Sequence, residues 1–115
     1  MSFNRVVMVC GLMTALAGCS DDFSGTYVSK TGIFTVAVLE VEGSSASVQY
    51  VNTAQNRVMS RLDFDADHKR GQVVFTSKKD GKMYVYSYAA DERGLECISD
   101  SCKGWDDIKT WHRQP

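Results

Sequence analysis

The chain has 115 residues, of which 43% are hydrophobic, and its 13 lysines and arginines nearly balance its 14 aspartates and glutamates, for a formal net charge of −1. This length is enough for one small domain and too short for two. The near-neutral balance argues against the basic face of a nucleic-acid-binding protein and against a polybasic membrane-binding patch.

An export signal is predicted at the N-terminus. Arg5 precedes an apolar run from Val6 to Ala17, and the polar residues Ser20-Asp21-Asp22 follow shortly after it. A positive start, a short apolar stretch and small residues before the cleavage point describe a signal peptide. A transmembrane helix would need about 20 apolar residues, and a buried core helix would carry a polar face. We therefore predict a signal peptide.

A cysteine directly after Leu16-Ala17-Gly18 makes this segment resemble the lipobox of bacterial lipoproteins. The resemblance implies a lipid on the Cys19 thiol, cleavage after Gly18 and acylation of the new amine. Residues 1–18 would then be the signal peptide, 19–24 a lipidated tether and 25–115 a small β-barrel-like domain. Two or more acyl chains hold a protein firmly on a membrane. Ser20 after the cysteine is similar to lipoproteins sorted to the outer membrane of the bacterial cell envelope, where they face the periplasm.

The remaining cysteines predict a disulfide. If Cys10 leaves with the signal peptide and Cys19 carries lipid, Cys97 and Cys102 are left. Two such cysteines in an exported protein usually pair. Redox pairs usually read C-x-x-C, and a zinc site requires four ligands. We therefore predict a structural disulfide between Cys97 and Cys102, with no metal and no cofactor.

After the polar tether, from Gly25 onward, the sequence follows a period of two with no sustained helical stripe. Asp80-Gly81 is typical of a hairpin turn, and Asp65 to Gly71 is predicted to be a charged turn. This spacing predicts an all-β domain of antiparallel strands in a meander, forming a small barrel or a sandwich. The eight predicted strands are 26–29, 33–42, 46–50, 57–64, 72–77, 82–89, 95–98 and 108–112.

Three tyrosines on one predicted strand form a candidate binding face. Tyr84, Tyr86 and Tyr88 lie on the same side because side chains alternate along a strand. If they point inward they belong to the core, and their hydroxyls need partners. If they point outward they form an aromatic strip of the kind enriched at protein interfaces. The sequence leaves both alternatives open.

The D-x-D-x-D pattern of Asp63, Asp65 and Asp67 is similar to the start of a calcium loop. An EF-hand loop also needs Gly at its sixth and Glu at its twelfth position, and this chain has His68 and Val74 there. The pattern is therefore interpreted as a solvated hairpin turn.

A second polar group lies near the C-terminus, and we interpret it as packed tryptophans with surface charge. Adjacent carboxylates on an extended chain point in opposite directions, and nothing in the sequence places a serine or cysteine nucleophile beside the histidine. We therefore predict no catalytic residue and no enzymatic activity. The group consists of Trp105, Asp106, Asp107, Trp111 and His112.

Two short segments give the mature domain a resemblance to small barrel-like bacterial lipoproteins. They are its opening strand, Phe23-Ser24-Gly25-Thr26-Tyr27, and its closing strand, Ile108 to Arg113. The membrane-bound lysozyme inhibitors are one such family, and Ser24-Gly25-Thr26-Tyr27 is similar to its Ser-Gly…Tyr motif. The family's second motif is missing around Tyr84–Tyr88, so no inhibitory residue is assigned.

The preferred function is a non-enzymatic protein-binding module of the inhibitor, immunity or exclusion type. It would be attached to the membrane through Cys19, with another envelope protein as partner and no nucleic acid. The alternative is a lipocalin-like carrier of a small apolar ligand. An interior cavity of about 300 Å³ or more would favour the carrier. The side chains expected to fill the interior instead are Phe34, Leu62, Phe64 and Phe75.

Overall fold

The computed structural model describes residues 21–89, 93–103 and 108–114. Eight antiparallel strands, each hydrogen-bonded to the next, close into a barrel. This confirms the predicted all-β fold and identifies it as the barrel rather than the sandwich. Among the described residues no helix is long and apolar enough to cross a membrane. A short 3-10 helix, η1 (Asp100–Cys102), follows the seventh strand. The strands are β1 (Gly25–Lys30), β2 (Thr35–Glu42), β3 (Ser45–Asn52), β4 (Arg57–Lys69), β5 (Gln72–Ser77), β6 (Met83–Tyr88), β7 (Gly94–Cys97) and β8 (Thr110–Arg113).

The core lies inside the barrel and is built from alternate residues of each strand. In β2, for example, Ala37, Leu39 and Val41 are buried, while Glu40 and Glu42 face solvent. This is the period-two pattern expected of a sheet with one face on the core. The largest of the almost completely buried side chains are Phe23, Tyr27, Leu39, Val41, Val73, Leu95 and Trp111.

The up-and-down order of the strands gives the barrel two ends of different composition. One end, here called the base, holds the N-terminal entry at Asp21–Ser24 and the β2–β3, β4–β5 and β6–β7 connections. The other, the distal end, holds the β1–β2, β3–β4 and β5–β6 connections and the β7–β8 connection with η1. Every candidate site below belongs to one of these ends or to the interior.

The boundaries of β2 and β4 differ from the prediction. β2 begins at Thr35, and Ile33 and Phe34 lie in the connection before it with 84% and 60% of their surface exposed. The prediction that Phe34 fills the interior is therefore wrong. β4 continues to Lys69 instead of ending in a charged turn after Phe64, because Ala66 still pairs with Phe75 of β5 and stays buried.

The barrel closes through a close backbone approach at Gly94. In the β7–β8 pairing Gly94 lies opposite His112, and a Cβ atom on Gly94 would collide with the Trp111 carbonyl oxygen. Glycine is needed here because the neighbouring backbone occupies the side-chain position.

Candidate functional site

The interior of the barrel is filled by side chains. The remaining void measures about 10 Å³, roughly the room that one water molecule needs and far below the volume of about 300 Å³ at which ligand pockets begin. Among the residues that the structure describes, this void is therefore too small for a small apolar ligand. The void is lined by Leu39, Val48, Phe64, Phe75, Tyr84, Tyr86, Ile108 and Trp111.

Two tyrosines of the candidate binding face point into this interior. Tyr84 and Tyr86 are 6% and 3% exposed. The Tyr86 hydroxyl donates a hydrogen bond of 2.6 Å to the Ile108 carbonyl, and burial raises the pKa of Tyr86. The Tyr84 ring meets the Phe64 ring edge-on at 6.0 Å. An outward strip formed by Tyr84, Tyr86 and Tyr88 is therefore wrong, because the two buried rings belong to the core.

Tyr88 is the exception, with 40% of its surface exposed at the base. Its ring stacks on Phe23 at a centroid distance of 4.7 Å, and the His68 ring lies 6.0 Å from Phe23. Phe23 is completely buried, although the sequence placed it in a polar tether. The sequence contained one indication of this burial, a single large aromatic residue among polar neighbours. Such a residue favours a segment that packs against the domain over one that is free in solvent.

Hydrogen bonds hold the rest of this entry segment against the β4–β5 turn. The Asp21 backbone N–H donates to the Lys69 carbonyl at 3.2 Å, and the Gly71 N–H donates to the Asp21 carboxylate at 2.7 Å. The carbonyl of Ser24 accepts a bond of 2.9 Å from the Arg113 guanidinium. Residues 21–24 are therefore part of the barrel base, which corrects their assignment to the tether.

His68 joins the entry segment to the β2–β3 turn. Its Nδ1 accepts a hydrogen bond of 3.1 Å from the Phe23 backbone N–H. The Nε2 atom faces the Gly43 carbonyl oxygen within hydrogen-bonding distance. Because a carbonyl can only accept, Nε2 is the donor of this bond. Both ring nitrogens are thus occupied by backbone groups.

The Asp22 carboxylate caps the same segment. Its Oδ1 accepts a bond of 3.0 Å from the Ser24 backbone N–H. This bond is the main reason why the pKa of Asp22 is lowered from its usual value of 3.8, since a hydrogen bond to the charged form favours that form.

The predicted disulfide between Cys97 and Cys102 is present, with the two Cα atoms 6.5 Å apart. The short loop that it closes is hydrogen-bonded to β6. The Ile98 backbone N–H donates to the Val85 carbonyl at 2.8 Å, and the Val85 N–H donates to Ser99 Oγ at 3.1 Å. This arrangement fits a structural role in holding the β7–β8 connection.

The three aspartates of the D-x-D-x-D pattern lie on strand β4, and the hairpin turn predicted for them is wrong. They face outward, and each approaches a different cation. The Asp63 carboxylate lies 3.0 Å from the Arg61 guanidinium, and the Asp65 carboxylate lies 3.6 Å from the Lys78 amine. Asp67 lies 3.6 Å from Lys69. Across the described ranges, no group of three or more histidines, cysteines or carboxylates is arranged to hold a metal ion.

The C-terminal group is divided between the two faces of β8. Trp111 is buried in the core, and His112 is exposed on the outside. Trp105, Asp106 and Asp107 lie outside the described residues, and so do the predicted signal peptide and Cys19.

The large apolar side chains that remain exposed concentrate at the distal end. Tyr88 is the only one of the described set at the base. The others are Ile33, Phe34, Val58, Met59, Met83 and Ile98. Exposed apolar side chains that lie together form a candidate contact surface, whereas isolated ones carry no such meaning.

The largest part of this surface is a continuous patch at the distal ends of β2, β3 and β4. Val51 of β3 lies opposite Val36 on one side and Val58 on the other. The Thr53 N–H donates to the Phe34 carbonyl at 2.8 Å, which brings the β1–β2 connection beside the β3–β4 turn. We call this surface the distal patch, and it consists of Ile33, Phe34, Val36, Val51, Val58 and Met59.

The charge around the distal patch is positive. Lys30, Arg57 and Arg61 are exposed near its edges, and the segments 30–38 and 49–61 contain no aspartate or glutamate. Arg61 approaches Asp63, but in the described part of the chain neither Lys30 nor Arg57 forms an ion pair. The sequence analysis missed this surface because it placed Ile33, Phe34 and Val58 in buried strands.

Comparison of the chain with models of protein families, with curated proteins and with solved structures gave no match.

Proposed function

We propose that this protein is a lipid-anchored envelope lipoprotein that acts as a non-enzymatic protein-binding module. The observation that carries the proposal is the distribution of apolar side chains. The interior is packed, with a void of about 10 Å³, while Ile33, Phe34, Val58 and Met59 of the distal patch are exposed to solvent. A barrel that contacts another protein with its outer surface has this distribution, and a barrel that carries a ligand has the reverse.

The attachment of the base supports a fixed orientation. With a lipid on Cys19, only Cys19 and Ser20 precede Asp21, whose backbone and carboxylate are hydrogen-bonded to the β4–β5 turn. Two residues span at most about 7 Å even when fully extended. The base would therefore face the membrane, which we propose is the outer membrane, and the distal end would point into the periplasm.

Four described side chains that could support catalysis, His68 and the three aspartates of β4, are occupied, which supports binding over chemistry. Both ring nitrogens of His68 contact backbone groups. Asp63, Asp65 and Asp67 each approach a lysine or arginine. General acid–base catalysis needs a group within hydrogen-bonding reach of the substrate, and these groups are already engaged.

The anchor is tested with Cys19→Ala. We expect this variant to accumulate as an uncleaved or soluble precursor without incorporated acyl chains, because the thiol that accepts the lipid is gone. Membrane fractionation and metabolic labelling with a fatty acid measure both effects. A processed and acyl-labelled variant in the membrane fraction would show that the lipobox interpretation is wrong.

Binding is tested with the native lipoprotein solubilised in mild detergent. We expect native mass spectrometry to show the acylated chain with a bound protein. A small apolar molecule that dissociates from the intact barrel on activation would instead support the carrier.

A further inference from the structure

We infer that the distal patch is the docking surface for a protein partner whose contact surface is apolar at its centre and acidic at its edges. This inference rests on the proposed function and specifies where the partner binds and which chemistry recognises it.

The outer face of β2 changes character along its length. At the base its outward residues are Glu40 and Glu42, and toward the distal end they are Val36 and Val38. A strand face that only meets water is normally polar throughout. The outer face of β2 is therefore apolar at the distal end. Contact with water alone would favour charged residues there, as it does at the base.

A β-bulge adds Val58 to the patch. Tyr50 pairs with Ser60 and Val51 pairs with Val58, which leaves Met59 as the extra residue of β4. Because one additional residue reverses the alternation of side chains, Val58 joins the outer row of Val51 and Val36 instead of the core. Bulges that redirect side chains are commonly associated with functional surfaces, and Val58 and Met59 remain about half exposed.

The charges around the distal patch indicate the sign of the charge on the partner's contact surface. Lys30 and Arg57 flank the apolar residues without an ion pair in the described part of the chain. Along β4 the outward residues change from Asp67, Asp65 and Asp63 near the base to Arg61 near the patch. Positive charges at the rim of an apolar contact steer and select a partner of negative charge.

Two other occupants fit the geometry less well. The eight residues of β3 rise about 26 Å along the strand, or about 20 Å along a tilted barrel axis. The distal patch would therefore lie too far from the anchoring membrane to enter it. In a symmetric dimer the same patch meets itself, and the cations of both copies would then repel one another.

The test is site-specific photocrosslinking of the full-length lipoprotein in the cells that produce it. A photoreactive phenylalanine analogue replaces Phe34, Met59, Met83 or Ile98 in turn, and the exposed base residue Glu42 serves as the control position. We expect a single protein adduct from positions 34 and 59 and none from position 42. Combining the probe at position 34 with Lys30→Glu and Arg57→Glu should lower the adduct yield about tenfold, whereas Lys30→Arg and Arg57→Lys should preserve it.

The outcomes separate this inference from the proposed function. An adduct with lipid, an adduct with a second copy, or a yield that charge reversal leaves unchanged would overturn the inference. Capture of a protein only from Met83 or Ile98 would move the docking surface and leave the binding function in place. If no position captures a protein, both proposals are wrong. Melting temperatures of all variants, which should stay within a few degrees of the native protein, exclude unfolding as the cause.

Discussion

One aromatic residue closes the base of this barrel. Phe23 is completely buried between the rings of Tyr88 and His68, and its carbonyl accepts a hydrogen bond of 2.7 Å from the Tyr27 hydroxyl. Phe23 precedes the first strand and would be free to move if it were part of a tether. Its burial shows that the packed part of the barrel begins before β1. Several hydrogen bonds to the backbone hold the N-terminal entry in place.

Replacing Phe23 tests this role. Phe23→Ala should lower the free energy of unfolding by about 3–5 kcal/mol, the usual cost of removing a buried phenylalanine. Phe34→Ala is the matched control, and it should change the stability by about 0.5 kcal/mol or less because Phe34 is largely exposed. Denaturant unfolding of both variants measures the difference. Similar losses for the two variants would contradict the docked arrangement of the base.

Asp22 gives the base a dependence on pH. Its pKa is lowered mainly by the hydrogen bond from the Ser24 N–H, so folding favours the carboxylate. The stabilisation is therefore complete above the usual pKa of 3.8 and is lost as the pH falls below that value. Asp22→Asn should have a lower free energy of unfolding than the native protein at pH 7, and this difference in free energy should become smaller toward pH 3. Unfolding free energies of both proteins at each pH measure this difference, and a constant gap would contradict it.

At the scale of the strands, the period-two pattern was sufficient to predict eight antiparallel strands in an all-β domain, but it left open whether they form a barrel or a sandwich. Two limits follow from the same pattern. Alternation shows that Tyr84 and Tyr86 share a face but gives no information about which face is inside. It also misplaced Val58, because the unpaired Met59 shifts the register of β4. The end of β4 was missed because the charges of Asp65 and Asp67 resemble a turn, although Ala66 between them is buried.

The closing pair of strands depends on Gly94. We expect Gly94→Ala to lower the free energy of unfolding by about 2–3 kcal/mol, since the added methyl group must displace the Trp111 backbone. Gly32→Ala is the control, because a Cβ atom there meets only Thr35 at an ordinary distance of 3.8 Å. Thermal unfolding should separate the two variants by several degrees. Equal melting temperatures would show that β7 and β8 tolerate a wider separation than the barrel geometry indicates.

For the whole molecule, the two ends of the barrel have opposite character. The base carries the N-terminal entry and the aspartates of β4. The distal end carries apolar side chains together with Lys30 and Arg57, which form no ion pair with any residue that the structure describes. Neither end could be identified from the sequence alone, because each is assembled from turns that are far apart in the chain. Asp21 is hydrogen-bonded to the β4–β5 turn at the base. These bonds would hold the base next to the proposed lipid anchor, so the distal end would point away from the membrane.

This orientation gives the last prediction. In lipid vesicles the acylated protein should hold the β2–β3 turn near the headgroups and the β3–β4 turn about 20 Å farther away, the axial length of β3. A fluorophore attached through Ser44→Cys should be quenched by a headgroup-bound quencher, and one attached through Ala54→Cys should not. Both positions are exposed turn residues at opposite ends of β3, so they differ mainly in height. Equal quenching at the two positions would mean that the barrel lies on its side or moves freely, and the distal patch would then have no defined direction in which to present itself.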